Sequence, residues 1–245
     1  MNGGYMGKIL HVDLTSGKLK DEVLTEKLCH DYIGGYGFGV RHLFSNMKPG
    51  VDALGPDNIF GCMTGPLTGT PAPTGARYIV FAKSPLTGGW GDANSGGSFG
   101  PYLKFAGYDG VIFTGRSKDP VYLWIKDGKA ELRPATHLWG KDSFDTEDML
   151  KSELGADIEV ACVGPSGEQQ SLIAAVMNNK GRAAGRSGLG AVMGSKRLKA
   201  IAVSGKADVP LADKEKISET RENCLANLTP ISQFFKVTGT PGTTL

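Results

Sequence analysis

Arg77 opens an alternating apolar run, RYIVFAK, which leads into SPLTGGWGDANSGGSFG, where Asn94, Ser95, Gly96 and Gly97 sit among small residues. A second segment, GRAAGRSGLGAVMGSK, sets Arg182 and Arg186 around Ala183, Ala184 and Gly185. Glycine carries no Cβ, so main-chain N–H groups in such stretches can converge on an anion. A guanidinium beside that concavity offers a flat fork of donors to a phosphate or a planar heterocycle. These residue types point to a phosphate-bearing organic ligand held by backbone and arginine, with no chemistry of the domain's own. A third segment, IGGYGFG, repeats the glycines at 34, 35, 37 and 39 without a cation. There a helix break with tight packing is the stronger reading.

Each residue also has a plainer role open to it. Arg77 at a strand start is by default a surface ion-pair partner, and Asn94 in a glycine loop is most often a turn residue in the left-handed region. Gly181 to Gly190 reads equally as a loop with a helix N-terminus. Familiar signatures fail: GAVMGSK lacks the GxxxxGK[ST] order, and GLGAVMG places Met193 where a dinucleotide fingerprint needs its third glycine. HExxH does not occur. His11, His30, His42 and His137 are isolated in sequence, and a structural role is the expectation for each.

The chain is long enough for one large domain or two small ones. Its 36 glycines in 245 residues are about twice the usual share. With 27 basic against 25 acidic residues, and no Lys/Arg run, a nucleic-acid partner is not expected. Cys29, Cys62, Cys162 and Cys224 form no CxxC pair and no Cys/His cluster, so neither a disulfide framework nor a metal centre is readable. No apolar run approaches the roughly 20 residues of a membrane span, and the first residues lack a signal-peptide layout. A reduced, cytoplasmic protein without a membrane partner is the expectation.

The elements that must position these residues follow from turn chemistry. KILHVDL and KLKDEV form a hairpin through Thr15-Ser16-Gly17, and VYLWI and KAELR form another through Lys126-Asp127-Gly128. Thr25 caps a helix that the glycines at 34 to 39 interrupt before Val40–Met47 resumes. NIFGCM, RYIVFAK, DGVIFTG, IEVACVG, SLIAAVM and LKAIAVSG read as strands, and SFGPYLKFAG as a short helix. Asp145 or Thr146 opens a helix closed by Gly155, and Asp213 caps another over Lys214–Leu228. Most neighbouring strands are joined by turns too short for a parallel crossover, so the pattern predicts an antiparallel-rich α+β fold. The expected division is a first domain over 1–210, then 211–245 as the truncated start of a helical second domain.

Taken together, GPLTGTPAPTGARYIVFAKSPLTGGWGDANSGGSFGPYLKFAGYDGVIFTG, ATHLWGKD, VGPSGE and MNNKGRAAGRSGLGAVMGSKRLKAIAVSG closely resemble the N-terminal domain of the tungsten-containing aldehyde:ferredoxin oxidoreductase family. The resemblance runs from Met6 to about Asp213. It implies a saddle-like domain of two β-sheets under a tungsten (or molybdenum) bis-pyranopterin. It further implies that Arg77 lies between the pterin and a [4Fe–4S] cluster, and that Ser95, Gly96, Gly97, Arg182, Ala184, Gly185 and Arg186 are cofactor contacts. The backbone carbonyls of Asn94 and Ala183 (or Ala184) are implied as ligands of a magnesium ion bridging the two pterin phosphates. Aldehyde substrate, ferredoxin and a homodimer follow from the same resemblance. In the family the cluster's cysteines and the acid and histidine near the metal come from later domains, and nothing like CxxCxxxC appears here. The cluster is therefore expected only in the full-length protein, and this chain alone is expected to be inactive. A benzoyl-CoA-reductase-type paralogue and a non-catalytic pterin-binding module are the alternatives.

Overall fold

The computed structural model describes residues 3–239. Strands β1 (Lys8–Asp13) and β2 (Lys18–Val23) form the first hairpin, whose turn is closed by the Asp13 carboxylate accepting from Thr15 N (2.9 Å) and Ser16 Oγ (2.6 Å). Helix α1 (Glu26–Tyr32) is capped as its sequence predicts, Leu28 N donating to Thr25 Oγ1 at 3.2 Å. Helix α2 spans Tyr36–Asn46 and so begins inside the glycine cluster instead of after it. The reason is packing. A Cβ on Gly37 would collide with the Tyr32 carbonyl at the end of α1, and one on Gly39 would lie 3.0 Å from the Phe81 and Trp90 rings of the sheet, so their absence lets α2 start close behind α1 and settle on the sheet.

Strands β3 (Phe60–Thr64), β4 (Tyr78–Lys83) and β5 (Trp90–Ser95), helix α3 (Phe99–Phe105) and strand β6 (Gly110–Thr114) complete the first half. Its six-stranded sheet has the order β2-β1-β6-β3-β4-β5, with only the β1–β6 ladder parallel. The second half runs β7 (Val121–Lys126), β8 (Lys129–Pro134), α4 (Ser143–Leu154), β9 (Glu159–Cys162), α5 (Pro165–Glu168), β10 (Val176–Asn178), β11 (Arg182–Ala184), α6 (Leu189–Ser195) and β12 (Leu198–Ser204). Its sheet has the order β11-β10-β9-β12-β7-β8, with only β12–β7 parallel. The fold is thus an antiparallel-rich α+β pair of mixed sheets.

Three further element boundaries differ from the sequence expectation. Helix α4 starts earlier, because Asp142 accepts from Asp145 N at 2.8 Å and takes the cap. Only the end of SLIAAVM is extended; Ala174 N bonds Ser171 O at 2.9 Å in a turn that precedes β10. Helix α7 runs over Lys214–Thr238, well past Leu228, with Leu225, Leu228, Phe234 and Phe235 exposed.

Period-two alternation assigns the apolar residues to three layers. Leu10, Val12, Tyr78, Val80, Val111 and Phe113 of the first sheet meet Leu123, Ile125, Ala161, Ile201 and Val203 of the second, with α3 and α6 contributing Phe99, Leu103, Val192 and Met193 to this shared core. The opposite face of the first sheet, Ile9, Ile79, Phe81 and Ile112, packs under Phe38 and Leu43 of α2. The outer face of the second sheet, Tyr122, Trp124, Val160, Ala200 and Ala202, packs under Leu150 of α4. With both faces covered, RYIVFAK is a nearly continuous apolar run and not the alternating one expected, because Ile79 and Phe81 face α2 while Tyr78 and Val80 face the shared core.

Candidate functional site

Arg77 directly precedes β4 and Asn94 lies in β5, an edge strand of the first sheet. The Arg77 guanidinium donates to Asn94 Oδ1 at 2.8 Å, and Asn94 Nδ2 donates to the Tyr36 hydroxyl at 3.3 Å. Both plainer sequence readings fail here: Arg77 meets an amide, not a carboxylate, and Asn94 is extended strand paired with Ile79. Thr68 Oγ1 donates to the Arg77 carbonyl at 2.7 Å and fixes the backbone that presents the guanidinium. These groups line a cavity of about 410 Å³ together with Gly34 and Gly35.

The carbonyl row along β5 is informative. In a strand, alternate residues turn their N–H and C=O to the same edge. The Asp92 carbonyl accepts from Ser187 Oγ at 3.0 Å and the Gly96 carbonyl accepts from Asn178 Nδ2 at 2.9 Å, both off the free edge of β5. The Asn94 carbonyl lies between them and points the same way. Among the described residues it has no side-chain donor.

Sequence reasoning missed the pair that builds this edge. Asn178 Oδ1 accepts from the Tyr78 hydroxyl (3.0 Å) and from Ser95 Oγ (2.8 Å), while its Nδ2 serves Gly96 O and Asn179 Oδ1. Asn179 Oδ1 also accepts from Ser98 N at 2.8 Å, and its Nδ2 donates to Glu159 Oε2 at 2.6 Å. Burial raises the Glu159 carboxyl, and the Asn179 amide opposes that shift. Burial likewise pushes the Tyr78 phenol well above its usual range, so it stays a hydrogen-bond donor. The only local signal was the Asn-Asn doublet itself, ahead of KGRAAG.

Through this network the two glycine segments are brought together. Arg182 pairs with Asn178 in the β10–β11 ladder, and β11, the edge of the second sheet, runs beside β5. Ser84 Oγ donates to Ser187 O at 2.8 Å and closes the seam at its far end. Arg182, Ala183, Gly185 and Arg186 are exposed, whereas Ala184 is buried. Among the described residues neither the Arg182 nor the Arg186 guanidinium has a hydrogen-bond or ion-pair partner. They lie outside the cavity that Arg77 and Asn94 line, on the neighbouring strand.

The glycines divide by what surrounds them. A Cβ on Gly96 would meet nothing nearer than Arg77 Nε at 3.9 Å, and one on Gly181 would meet nothing within 4 Å, so backbone there is open to a ligand. Gly97, at φ +88°, is needed for the loop itself, since a Cβ would collide with Asn179 Oδ1. An edge with an outward carbonyl, two glycines without steric cover and three arginines is a donor set suited to phosphate oxygens and to an oxygen-liganded cation between them. Larger cavities, of about 640 Å³ along the β7–β8 hairpin and about 680 Å³ around α1, contain none of these residues.

Comparison with known proteins gives a consistent family relationship. The profile described as "Aldehyde ferredoxin oxidoreductase, N-terminal domain" matches residues 9–205. A tungsten-containing aldehyde ferredoxin oxidoreductase of Pyrococcus abyssi is 52% identical over 217 residues, covering 88% of this chain and 36% of that protein. One from Thermococcus kodakarensis is 50% identical over 214 residues, covering 87% and 35%. The WOR-like subunit of an aliphatic sulfonate oxidoreductase of Pyrococcus furiosus is 36% identical over 230 residues, covering 87% and 36%. Among solved structures, the active-site complex BamBC of benzoyl coenzyme A reductase with 1,5-dienoyl-CoA superposes with a TM-score of 0.82 at 38% identity, over 84% of this chain and 32% of that one. The chain spans about a third of the length of these relatives.

Proposed function

The chain belongs to the aldehyde ferredoxin oxidoreductase family, by its N-terminal domain, and from that premise we propose that the β5–β11 seam seats a tungsten (or molybdenum) bis-pyranopterin within a longer enzyme that oxidises aldehydes to carboxylates and passes the electrons to ferredoxin. The observation that supports it most is the Arg77–Asn94 contact on an edge strand whose Asn94 carbonyl turns outward toward β11. When bound, the cofactor supplies the two-electron redox chemistry.

The chain's own residues bind and orient. Arg77 would place positive charge against the pterin, and its hydrogen bond to Asn94 holds the guanidinium at that edge. Arg182 and Arg186 would meet phosphate oxygens, with Ser95, Gly96, Gly97, Ala184 and Gly185 shaping the approach. The carbonyls of Asn94 and Ala183 would ligate magnesium, a hard cation that takes oxygen donors. A [4Fe–4S] cluster would be held by cysteines outside this chain. Burial raises the Cys62 thiol and pushes that of Cys162 up to about 12, which disfavours the thiolates that iron requires. We take 1–210 as the cofactor-seating domain and 211–245 as the start of a helical one, a division supported by the exposed apolar side chains of α7.

The test is metal and pterin analysis of the full-length native protein together with aldehyde-driven reduction of ferredoxin. Tungsten or molybdenum, two pterins per chain and aldehyde turnover are expected. A protein without pterin defeats the reading. Pterin with reduction of an aryl-CoA thioester in place of aldehyde oxidation transfers it to the benzoyl-CoA-reductase type. Substrate choice rests on residues outside this chain, and the chain alone is expected to turn over neither substrate.

A further inference from the structure

His11 and His42, isolated in sequence, are neighbours in the fold. His11 in β1 and Glu22 in β2 are diagonal neighbours on the face covered by α2, and His11 Nε2 lies 2.6 Å from Glu22 Oε2. His42 comes down from α2 onto the same spot, its ring centroid 5.2 Å from that of His11 and tilted by 49°. One ligand atom from each of His11, Glu22 and His42 falls within 4.8 Å of the other two.

We propose that His11, Glu22 and His42 bind a divalent transition ion of the zinc class, which clamps α2 onto the β1–β2 hairpin. Two imidazoles and one carboxylate are a donor set for zinc and its first-row neighbours, not for magnesium or calcium, which favour all-oxygen shells. Ligand atoms about 2.0–2.1 Å from a tetrahedral ion are roughly 3.3 Å apart, so the cluster closes by small side-chain rotations and leaves a position for water. His42 is 8% exposed, and burial together with the neighbouring His11 lowers it to about 4, so the ring offers a lone pair at neutral pH. Asn46 Nδ2 donates to the His42 carbonyl at 2.9 Å and lies 3.5 Å from His42 Nδ1, which limits the ring's rotation. Arg41 approaches the other oxygen of Glu22, Oε1, at 3.6 Å, and leaves Oε2 to the ion. Helix α2 carries Tyr36 against Asn94 at its opposite end, so a clamp at His42 would steady the cavity wall as well.

The experiment uses the full-length protein freed of loosely held metal by mild chelation. Equilibrium dialysis against zinc should give one more zinc per chain in the wild type than in His11→Gln/His42→Gln. Glu22→Gln should bind that zinc at least about tenfold more weakly. Saturating zinc should raise the melting temperature of the wild type and not that of the double variant. Zinc-edge X-ray absorption should show imidazole and oxygen donors only. If His42→Gln does not fold, the comparison of wild type with His11→Gln and Glu22→Gln, both at half-buried surface positions, gives the same decision. Equal zinc stoichiometry and affinity in wild type and variants, or a wild-type melting temperature indifferent to zinc, overturns the proposal and leaves a hydrogen-bonded contact of His11 with Glu22 beside Arg41.

Discussion

The Arg77 guanidinium reaches across the β4–β5 ladder to donate to Asn94 Oδ1 at 2.8 Å, and the backbone of both residues is fixed independently of that contact. Thr68 holds the Arg77 carbonyl, and ladder pairing with Ile79 holds Asn94. Because Arg77 is exposed, its removal should not cost the fold much. In the full-length enzyme, Arg77→Ala is expected to melt within a few degrees of the wild type. On the proposed function, its kcat should fall about tenfold or more while KM for the aldehyde stays within about twofold, since the proposed charge-assisted hydrogen bond to the cofactor would be lost and no substrate contact would be. Steady-state kinetics on aldehyde, with ferredoxin saturating, separates the two parameters. A raised KM with unchanged kcat would assign Arg77 to substrate binding instead.

Gly96 and Gly97 are adjacent and should respond in opposite ways to alanine. Gly97→Ala places a Cβ in the left-handed region and against Asn179 Oδ1, which also holds Ser98 N and Asn178. The strain of about 1–2 kcal/mol and the disturbed hydrogen bonds should together destabilise the protein by about 2–4 kcal/mol. Gly96→Ala meets only Arg77 Nε at 3.9 Å, so stability should change by less than about 1 kcal/mol. Yet its methyl occupies the approach to the proposed site, and cofactor content should drop. Urea unfolding and tungsten analysis of both variants distinguish a structural glycine from a ligand-facing one.

Asn178 is the tie between the two sheets and is buried at 1% exposure. Asn178→Ala strands the Tyr78 hydroxyl, Ser95 Oγ and the Gly96 carbonyl together, and unmet buried groups cost about 1–3 kcal/mol each before relaxation. A loss of about 3 kcal/mol is expected. Tyr78→Phe, which removes one donor and leaves Asn178 bonded to Ser95, should cost about 1 kcal/mol. In the background of Asn178→Ala the Tyr78→Phe change should cost close to nothing. A full additive cost in that double variant would show that Tyr78 acts elsewhere.

What could be read locally was readable because the signal is local. Asp127 and Gly128 both take positive φ, 47° and 80°, in the hairpin turn that their dipeptide predicts. Thr25 and Asp213 cap helices through their own side chains, and Arg77 with Asn94 stood out because a cation among glycines is unusual at any fold. The adjacency of β5 and β11 had no such signature. It depends on how two sheets share one core, and on Asn178 and Asn179 reaching loops distant in sequence. His11 and His42 were hidden for the same reason: one is on a strand, the other on the helix laid over it, and only tertiary packing brings them together.

Lys196 gives the fold a dependence on alkaline pH. Its side chain is fully buried, and its ammonium donates to the carbonyls of Gly115 (2.9 Å) and Pro56 (3.2 Å), with no bonded carboxylate among the described residues. Burial lowers its pKa to about 8, Arg116 adds to that shift, and Asp57 opposes it. In the unfolded chain the group titrates near 10.5. Between these values the unfolded state binds more protons than the native one, so stability attributable to Lys196 rises with pH through the window and is lost as pH falls back through 8. The gain is at most about 3 kcal/mol, from a difference of roughly 2.5 pKa units. Other lysines and tyrosines also titrate there, so the difference between wild type and Lys196→Met isolates the effect. The difference should move in favour of the wild type from pH 8 to pH 10.5. A flat difference over that range would mean that Lys196 keeps its proton in the native state, held by the two carbonyls alone.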